Sequence, residues 1–331
     1  MAENFAELGR VQAIRQLFEG TGFEPFGEPL WLTAGQQECI STASGLMLEG
    51  IDFDLVYFPL PHLGRKAVLK VTGELYAVMA RPDSLSVQLG VSAKLDFPQV
   101  KDLWSGIVSA AKEHGYRSLS LDLQPSKNGL TISLAATGRH SASVSAARPQ
   151  AHSKDLVCVS GPLGAAYLGL QALQREKANF DKGSSNREAL ERYKMLVGAY
   201  LKPDLEAHTV AQLEDDKLVP SFGYFVTRGL ADALLRLQRD SGLGVKVYAD
   251  KMPFEGGSFD LGRELDLDPV SAAMNGGEDF RLLYVVPLDK FDQFRKDFQT
   301  FDIIGHLAQP EAGAVLVTPD GVELPLKAQG W

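Results

Sequence analysis

Over residues 3–19 the apolar side chains Leu8, Val11, Ile14, Leu17 and Phe18 recur every three to four positions, and the spacing predicts an amphipathic helix. Strand-like stretches follow at 38–42 and 67–72. Residues 100–114 carry Leu103, Trp104, Ile107 and Ala111 at helical spacing, and 119–123 and 130–137 read as strands joined through Pro125-Ser126-Lys127-Asn128-Gly129. A stretch of small and polar residues over 139–154 interrupts the pattern, which places a domain boundary there and gives domains 1–148 and 149–331. The second half opens with a strand at 156–160, a glycine-bearing turn and a helix from about residue 165 to 178. An exposed loop is expected over 181–187 and a further amphipathic helix over 228–240. Pro319-Asp320-Gly321 between the apolar stretches 315–318 and 322–326 signals a hairpin. Strands and helices mix without strict alternation, so the expected class is α+β rather than a doubly wound sheet.

Composition narrows the function classes. The 331 residues suffice for two domains with separate cores, and 45% apolar with 23% charged residues excludes a disordered chain. A net charge of −9 argues against a nucleic-acid surface and makes affinity for a polyanionic nucleotide harder without a metal. No run of about 18 apolar residues occurs and Met1-Ala2-Glu3-Asn4 lacks a basic start, so no membrane span or signal peptide is expected and the reading is cytoplasmic. Cys39 and Cys158 sit in apolar runs without a second ligand at metal spacing and are read as buried thiols.

The chemistry concentrates around Asn275-Gly276-Gly277-Glu278-Asp279-Phe280, where two glycines before an acidic pair suit a tight turn ahead of the buried strand Leu282-Leu283-Tyr284-Val285-Val286. Such a turn alone is usually only a turn. Further words follow a fixed order along the chain: Leu48-Glu49-Gly50-Ile51-Asp52-Phe53-Asp54-Leu55, His62-Leu63-Gly64, the run from Cys158 to Leu170 containing Gly161-Pro162-Leu163-Gly164, and the ending Ala328-Gln329-Gly330-Trp331. Together they resemble the thiamine-monophosphate kinase family of the aminoimidazole-ribonucleotide-synthetase-like superfamily, from about Leu8 to Trp331. The resemblance implies a two-domain α+β fold, an N-terminal mixed sheet that pairs with its copy in a homodimer barrel, and an active site between the domains using Mg and ATP.

Phosphoryl transfer from ATP needs cations that bridge the phosphates, and those cations need carboxylates. At the positions the family implies, most carboxylates are replaced. The paired aspartates of the first motif correspond to Pro25-Phe26-Gly27-Glu28-Pro29, with Glu24 or Glu28 as the only substitutes. Ser41-Thr42 is followed by Ala43 instead of an aspartate, and Asp52 replaces a histidine, a salt-bridged Asp52 being the plainer reading. Gly73-Glu74 stands for a Ser-Asp pair, so Glu74 is either a metal ligand on a longer arm or a surface glutamate at a helix start. Ser120-Leu121-Asp122 retains the acid of a Gly-Gly-Asp word without its glycines. Phe225-Val226-Thr227-Arg228-Gly229-Leu230 replaces both aspartates of Asp-Ile-Ser-Asp-Gly-Leu, and Arg228 either pairs with Asp122 or Asp279 or binds an anion. Gly276-Gly277-Glu278-Asp279 persists, with Arg281 in place of a further acid.

The candidate ligand-binding set is therefore Glu74, Asp122, Arg228, Gly276, Gly277 and Asp279, and the candidate metal ligands are Glu74, Asp122 and Asp279. No Gly-x-Ser-x-Gly elbow or histidine pair supports hydrolase or zinc chemistry, and the Gly161–Gly164 turn lacks a P-loop ending. The favoured reading is a kinase-like homodimer impaired in Mg-ATP phosphoryl transfer, binding a small molecule such as thiamine phosphate or a nucleotide. The alternatives are a working kinase with an unusual metal site built from Glu74, Asp122 and Asp279, and an ATP-independent enzyme or metal-free binder that uses Arg228 to hold an anionic small molecule.

Overall fold

The computed structural model describes residues 32–33, 38–183 and 187–327. The expected helix over 3–19, the loop at 25–28 with Glu24 and Glu28, and the ending Ala328–Trp331 lie outside the described residues, as do positions 184–186 of the loop expected over 181–187.

Alternation of side chains builds the first sheet. Strand β1 (Leu32–Thr33) leads to β2 (Glu38–Leu48), β3 (Arg81–Ser92), β4 (Ser118–Ser126) and β5 (Thr131–Ser141), in the order β1-β2-β5-β3-β4. Neighbours are antiparallel except β3 and β4, which run parallel and are joined by a crossover helix. Leu85, Val87 and Leu89 of β3 face the core together with Ile132 and Leu134 of β5. On the opposite face Thr42, Ser44, Ser86, Gln88, Ser133 and Ala135 form a surface of small and polar side chains. Pro125 lies within β4, where an edge strand tolerates the missing N–H.

Two helices cover the apolar face, α1 (Leu60–Ala77) and α2 (Phe97–Glu113). The run 67–72, read above as a strand, is the middle of α1. That helix is buried on nearly every side: it packs on the first sheet and on α2, while Leu69, Tyr76 and Ala77 face the second sheet. With apolar side chains facing both sheets and α2, they are not confined to one stripe and the helical period is lost over 67–72. The short α3 (Ala142–Ala146) follows β5.

The second sheet takes strands β6 (Leu156–Val159), β7 (Phe222–Val226), β8 (Gly244–Tyr248), β9 (Arg281–Val286), β10 (Asp302–Ala308), β11 (Ala314–Val317) and β12 (Glu323–Pro325), in the order β12-β11-β8-β10-β6-β9-β7. The hairpin expected at Pro319-Asp320-Gly321 joins β11 and β12 as an antiparallel pair. Helices α4 (Ala165–Asp181), α5 (Arg187–Arg192), α6 (Lys194–Leu201), α7 (Thr209–Asp215), α8 (Leu230–Ser241), α9 (Ser258–Leu265), α10 (Pro269–Asn275) and α11 (Phe291–Asp297) complete this half. The architecture is α+β with two sheets, and α1 is wedged between them. At that junction a side chain on Gly223 would start 1.9 Å from the Ala77 carbonyl oxygen, and the Tyr284 hydroxyl donates to the Tyr76 carbonyl at 2.8 Å. Cys158 is fully buried as expected, whereas Cys39 is only half-buried.

Candidate ligand site at the junction of the two sheets

Two loops meet beside α1. Residues 275–280 turn from α10 into β9 with Gly277 at φ 77°, Glu278 at φ 65° and Phe280 at φ 54°, so three of four consecutive residues from Gly277 hold the left-handed region, two of them without being glycine. The turn is tied to the end of β7 by Glu278 N–H donating to the Thr227 carbonyl at 2.9 Å and Phe280 N–H to that of Val226 at 3.0 Å. Gly276 has no room for a side chain, because a Cβ would lie 2.5 Å from both the Ala272 carbonyl oxygen and Tyr167. Arg228, Gly276, Gly277 and Asp279 are thus brought together.

Their roles differ from those expected. Asp279, 5% exposed, turns inward, and its carboxylate accepts the N–H of Gly164 at 2.8 Å and of Ala166 at 3.3 Å at the start of α4. Burial pushes its pKa up to about 7, with the two amides pulling the other way. Asp279 is a helix cap supplied from another segment, not a metal ligand. Arg228 is exposed and makes no ion pair among the described residues, so the pairing with Asp122 or Asp279 is not formed. The neighbouring Arg281 donates from Nε to the Pro162 carbonyl at 3.2 Å and lies 3.5 Å from the position a side chain on Gly161 would take.

Glu74 sits in the last turn of α1, half-buried, rather than at a helix start. Its neighbour is Arg236 of α8: burial pulls that guanidinium down, and Glu74 and then Asp232 more than offset the pull, with Arg236 Nε 3.1 Å from Asp232. Glu74 therefore offsets a buried cation of the protein. Asp122 is remote from both. It is exposed on β4 opposite Gln88, on the sheet face turned away from α1. Among the described residues no three His, Cys, Asp or Glu side chains converge as a metal site, and the three expected ligands do not fit one.

Two features escaped the sequence reading. Phe225 is fully buried, and its ring presses onto Gly73: a Cβ there would sit 2.2 Å from a ring carbon. Phe280 meets the same ring edge-on at a centroid distance of 5.5 Å. Two turns before Gly73 along α1, Lys66 is fully buried with Nζ 2.8 Å from Glu278, 3.0 Å from the Tyr200 carbonyl, and over the rings of Tyr200 at 4.0 Å, Phe58 at 4.9 Å and Phe280 at 5.5 Å. Desolvation lowers the ammonium pKa while Glu278 raises it. The sequence gives no sign of this site, because two of the three rings around Lys66, those of Tyr200 and Phe280, lie more than 100 residues away. Asp52 is salt-bridged as the plainer reading had it, 3.1 Å from Lys70 Nζ and accepting the Leu48 N–H at 2.8 Å.

No family model matches the chain. Relatives do. Thiamine-monophosphate kinase of Pyrococcus horikoshii is 27% identical over 273 residues, 81% of this chain and 78% of that protein. In three dimensions the chain is similar to AaThiL complexed with AMPPCP and TMP, with a TM-score of 0.79 at 19% identity over 100% of this chain and 99% of the other. It is also similar to E. coli HypE, a hydrogenase maturation protein, with a TM-score of 0.63 at 18% identity over 96% and 97%. The second likeness shows that the fold alone does not choose a reaction. Sequence and structure comparisons nonetheless agree on one set of low-identity relatives, the thiamine-monophosphate kinases and their two-domain α+β fold.

Proposed function

We propose that this chain is a thiamine-monophosphate-kinase-like protein impaired in Mg-ATP phosphoryl transfer, serving as a dimeric ligand-binding or regulatory homologue. The observation that carries the reading is the Phe225 ring packed against Gly73. Where the family resemblance requires carboxylates from both halves of the chain to face one another across bound cations, an apolar ring is buried instead, and the adjacent Glu74 is committed to the neighbourhood of Arg236. Electrostatic stabilisation by metal ions cannot be assembled from apolar contacts.

Ligand binding in this reading rests on Arg228, an exposed guanidinium beside the Gly276-Gly277 turn, which would hold the phosphate of thiamine phosphate or of a nucleotide without a metal. Residues 1–148 and 149–331 act as two domains, each contributing one sheet. The small, polar face of the first sheet, with Ser44, Ser86 and Ala135, pairs with a second copy to make the homodimer. The reading places the protein in the cytoplasm, and no helix among the described residues is long and apolar enough to cross a membrane.

The test is thermal unfolding of the full chain with thiamine monophosphate, ATP, and ATP with Mg, because a ligand of the native state raises its stability with occupancy. The reading expects a rise with thiamine monophosphate or ATP that needs no Mg and disappears in Arg228→Ala. A rise that requires Mg together with ATP would support the active kinase built on Glu74, Asp122 and Asp279.

A further inference from the structure

Side chains at paired positions of neighbouring strands share a face, so Leu156 of β6, His306 of β10 and Lys246 of β8 lie in one row on the second sheet, with Tyr248 and Ile303 on the same side. The opposite face packs against α8, and Val157, Val245, Val247 and Ile304 are fully buried there, whereas Leu156, Tyr248, Ile303 and His306 are only half-buried. Over these four opens a cavity of about 290 Å³ that Lys154 and Lys251 also line. No carboxylate lines it, in a chain whose net charge is −9. Both lysines are exposed and neither makes an ion pair among the described residues, whereas Lys246 is tied to Glu323. Lys251 Nζ lies 4.9 Å from the centre of the Tyr248 ring, and that ring stacks on His306 with centroids 5.8 Å apart. Burial, then Lys246 and Lys251, lower the His306 pKa, so the imidazole is uncharged at neutral pH and the charges that reach it are positive. Lys154 holds φ 83°, in the left-handed region that side chains rarely adopt, and its N–H donates to the Leu307 carbonyl at 2.7 Å. Backbone strain of this kind recurs where a side chain is aimed at a ligand.

We propose that this cavity is a second ligand site, separate from the junction of α1 with the Gly276-Gly277 turn, and that it binds a small phosphate monoester. The ammonium groups of Lys154 and Lys251 match the charge of close to −2 that such a phosphate carries at neutral pH. The Tyr248 hydroxyl and the His306 ring hydrogen-bond to its oxygens, and Leu156 and Ile303 form an apolar floor for the rest of the molecule. The volume lies at the lower end for small-molecule pockets and admits a single ring or a short chain beside the phosphate. Two ammonium groups without a counter-charge over an apolar floor, one of them carried by a strained residue, are what a ligand explains and packing does not. The proposal stands whether or not phosphoryl transfer is impaired.

The test follows the His306 ring by NMR while the full chain is titrated with phenyl phosphate, inorganic phosphate and neutral benzyl alcohol, the His306 signals being assigned by their absence in His306→Gln. Saturable shifts are expected with phenyl phosphate, at lower concentration than with inorganic phosphate, which has no apolar part, and none with benzyl alcohol. Lys251→Gln should weaken phenyl phosphate about fivefold or more. Lys154→Gly should weaken it to a similar degree while the unfolding temperature of the ligand-free protein stays equal or rises, because glycine takes the left-handed conformation without strain; a purely structural Lys154 would not separate the two readouts. Arg228→Ala should leave the His306 shifts intact, so a failure of this site and a failure of the junction site are told apart. No saturable His306 shift up to about 10 mM phenyl phosphate, equal affinity for inorganic phosphate, undiminished affinity in both lysine variants, or loss of the shifts in Arg228→Ala would each overturn the proposal.

Discussion

Lys66 holds a charge in a place where water does not reach, and what stabilises it is the sum of one carboxylate, one carbonyl and three aromatic faces. Removing it by Lys66→Met leaves Glu278, whose side chain is only 22% exposed, without its counter-charge. Urea unfolding of Lys66→Met should show a loss of about 3 kcal/mol, near the low end for a broken buried pair because Glu278 keeps some access to water. The double variant Lys66→Met with Glu278→Gln should recover part of that loss. Asp279 gives a pH signature. Its folded-state pKa of about 7 lies above its unfolded value of 3.8, so the stability it contributes is fully present below pH 3.8 and is lost as the pH rises through 7. Asp279→Asn has no such dependence, and the gap between the wild-type and Asp279→Asn unfolding temperatures should therefore shrink as the pH is raised from 5 to 8. At this scale the sequence was legible for Asp52, whose salt bridge was the plainer reading, whereas the pairing expected of Arg228 with Asp122 or Asp279 is not formed among the described residues. The sequence was silent about Lys66 and about the inward turn of Asp279, because both depend on partners more than 100 residues away, Tyr200 and Gly164.

Helix α1 shows how an element escapes sequence reading. Enclosed by the first sheet, α2 and the second sheet, it turns apolar residues in several directions, and 67–72 then looks like a buried strand. Helices with a wet face, such as α2 and α8, were read to within a few residues because water writes the period into their sequences. The contact between α1 and β7 depends on a glycine opposite an aromatic ring. Gly73→Ala forces a Cβ into the Phe225 ring and should cost about 1–3 kcal/mol by overpacking. Phe225→Ala should cost about 3–5 kcal/mol through the cavity it leaves. Because the two side chains occupy the same space, denaturant unfolding of the double variant should show a loss smaller than the sum of the single ones.

For the molecule as a whole, the two halves are joined through α1, the turn at 275–280 and the ring of Phe225, so the region where a nucleotide and its metals would be expected is built instead as an apolar and charge-paired junction. Strand β3 was not anticipated, whereas β2, β4, β5, β6 and the hairpin of β11 with β12 follow from local patterning. The junction does not, since it exists only once both halves are folded. The other face of the first sheet carries the homodimer in this account, and Ala135→Glu, placing a charge in its middle, should shift the protein from dimer to monomer by light scattering without lowering the unfolding temperature of the protomer. The central claim concerns chemistry. Its most direct test is incubation of the full-length protein with ATP, Mg and thiamine monophosphate, followed by chromatographic measurement of thiamine diphosphate. The account predicts no product above the protein-free control, whereas product that requires Mg and is lost in Glu74→Gln, Asp122→Asn or Asp279→Asn would contradict it.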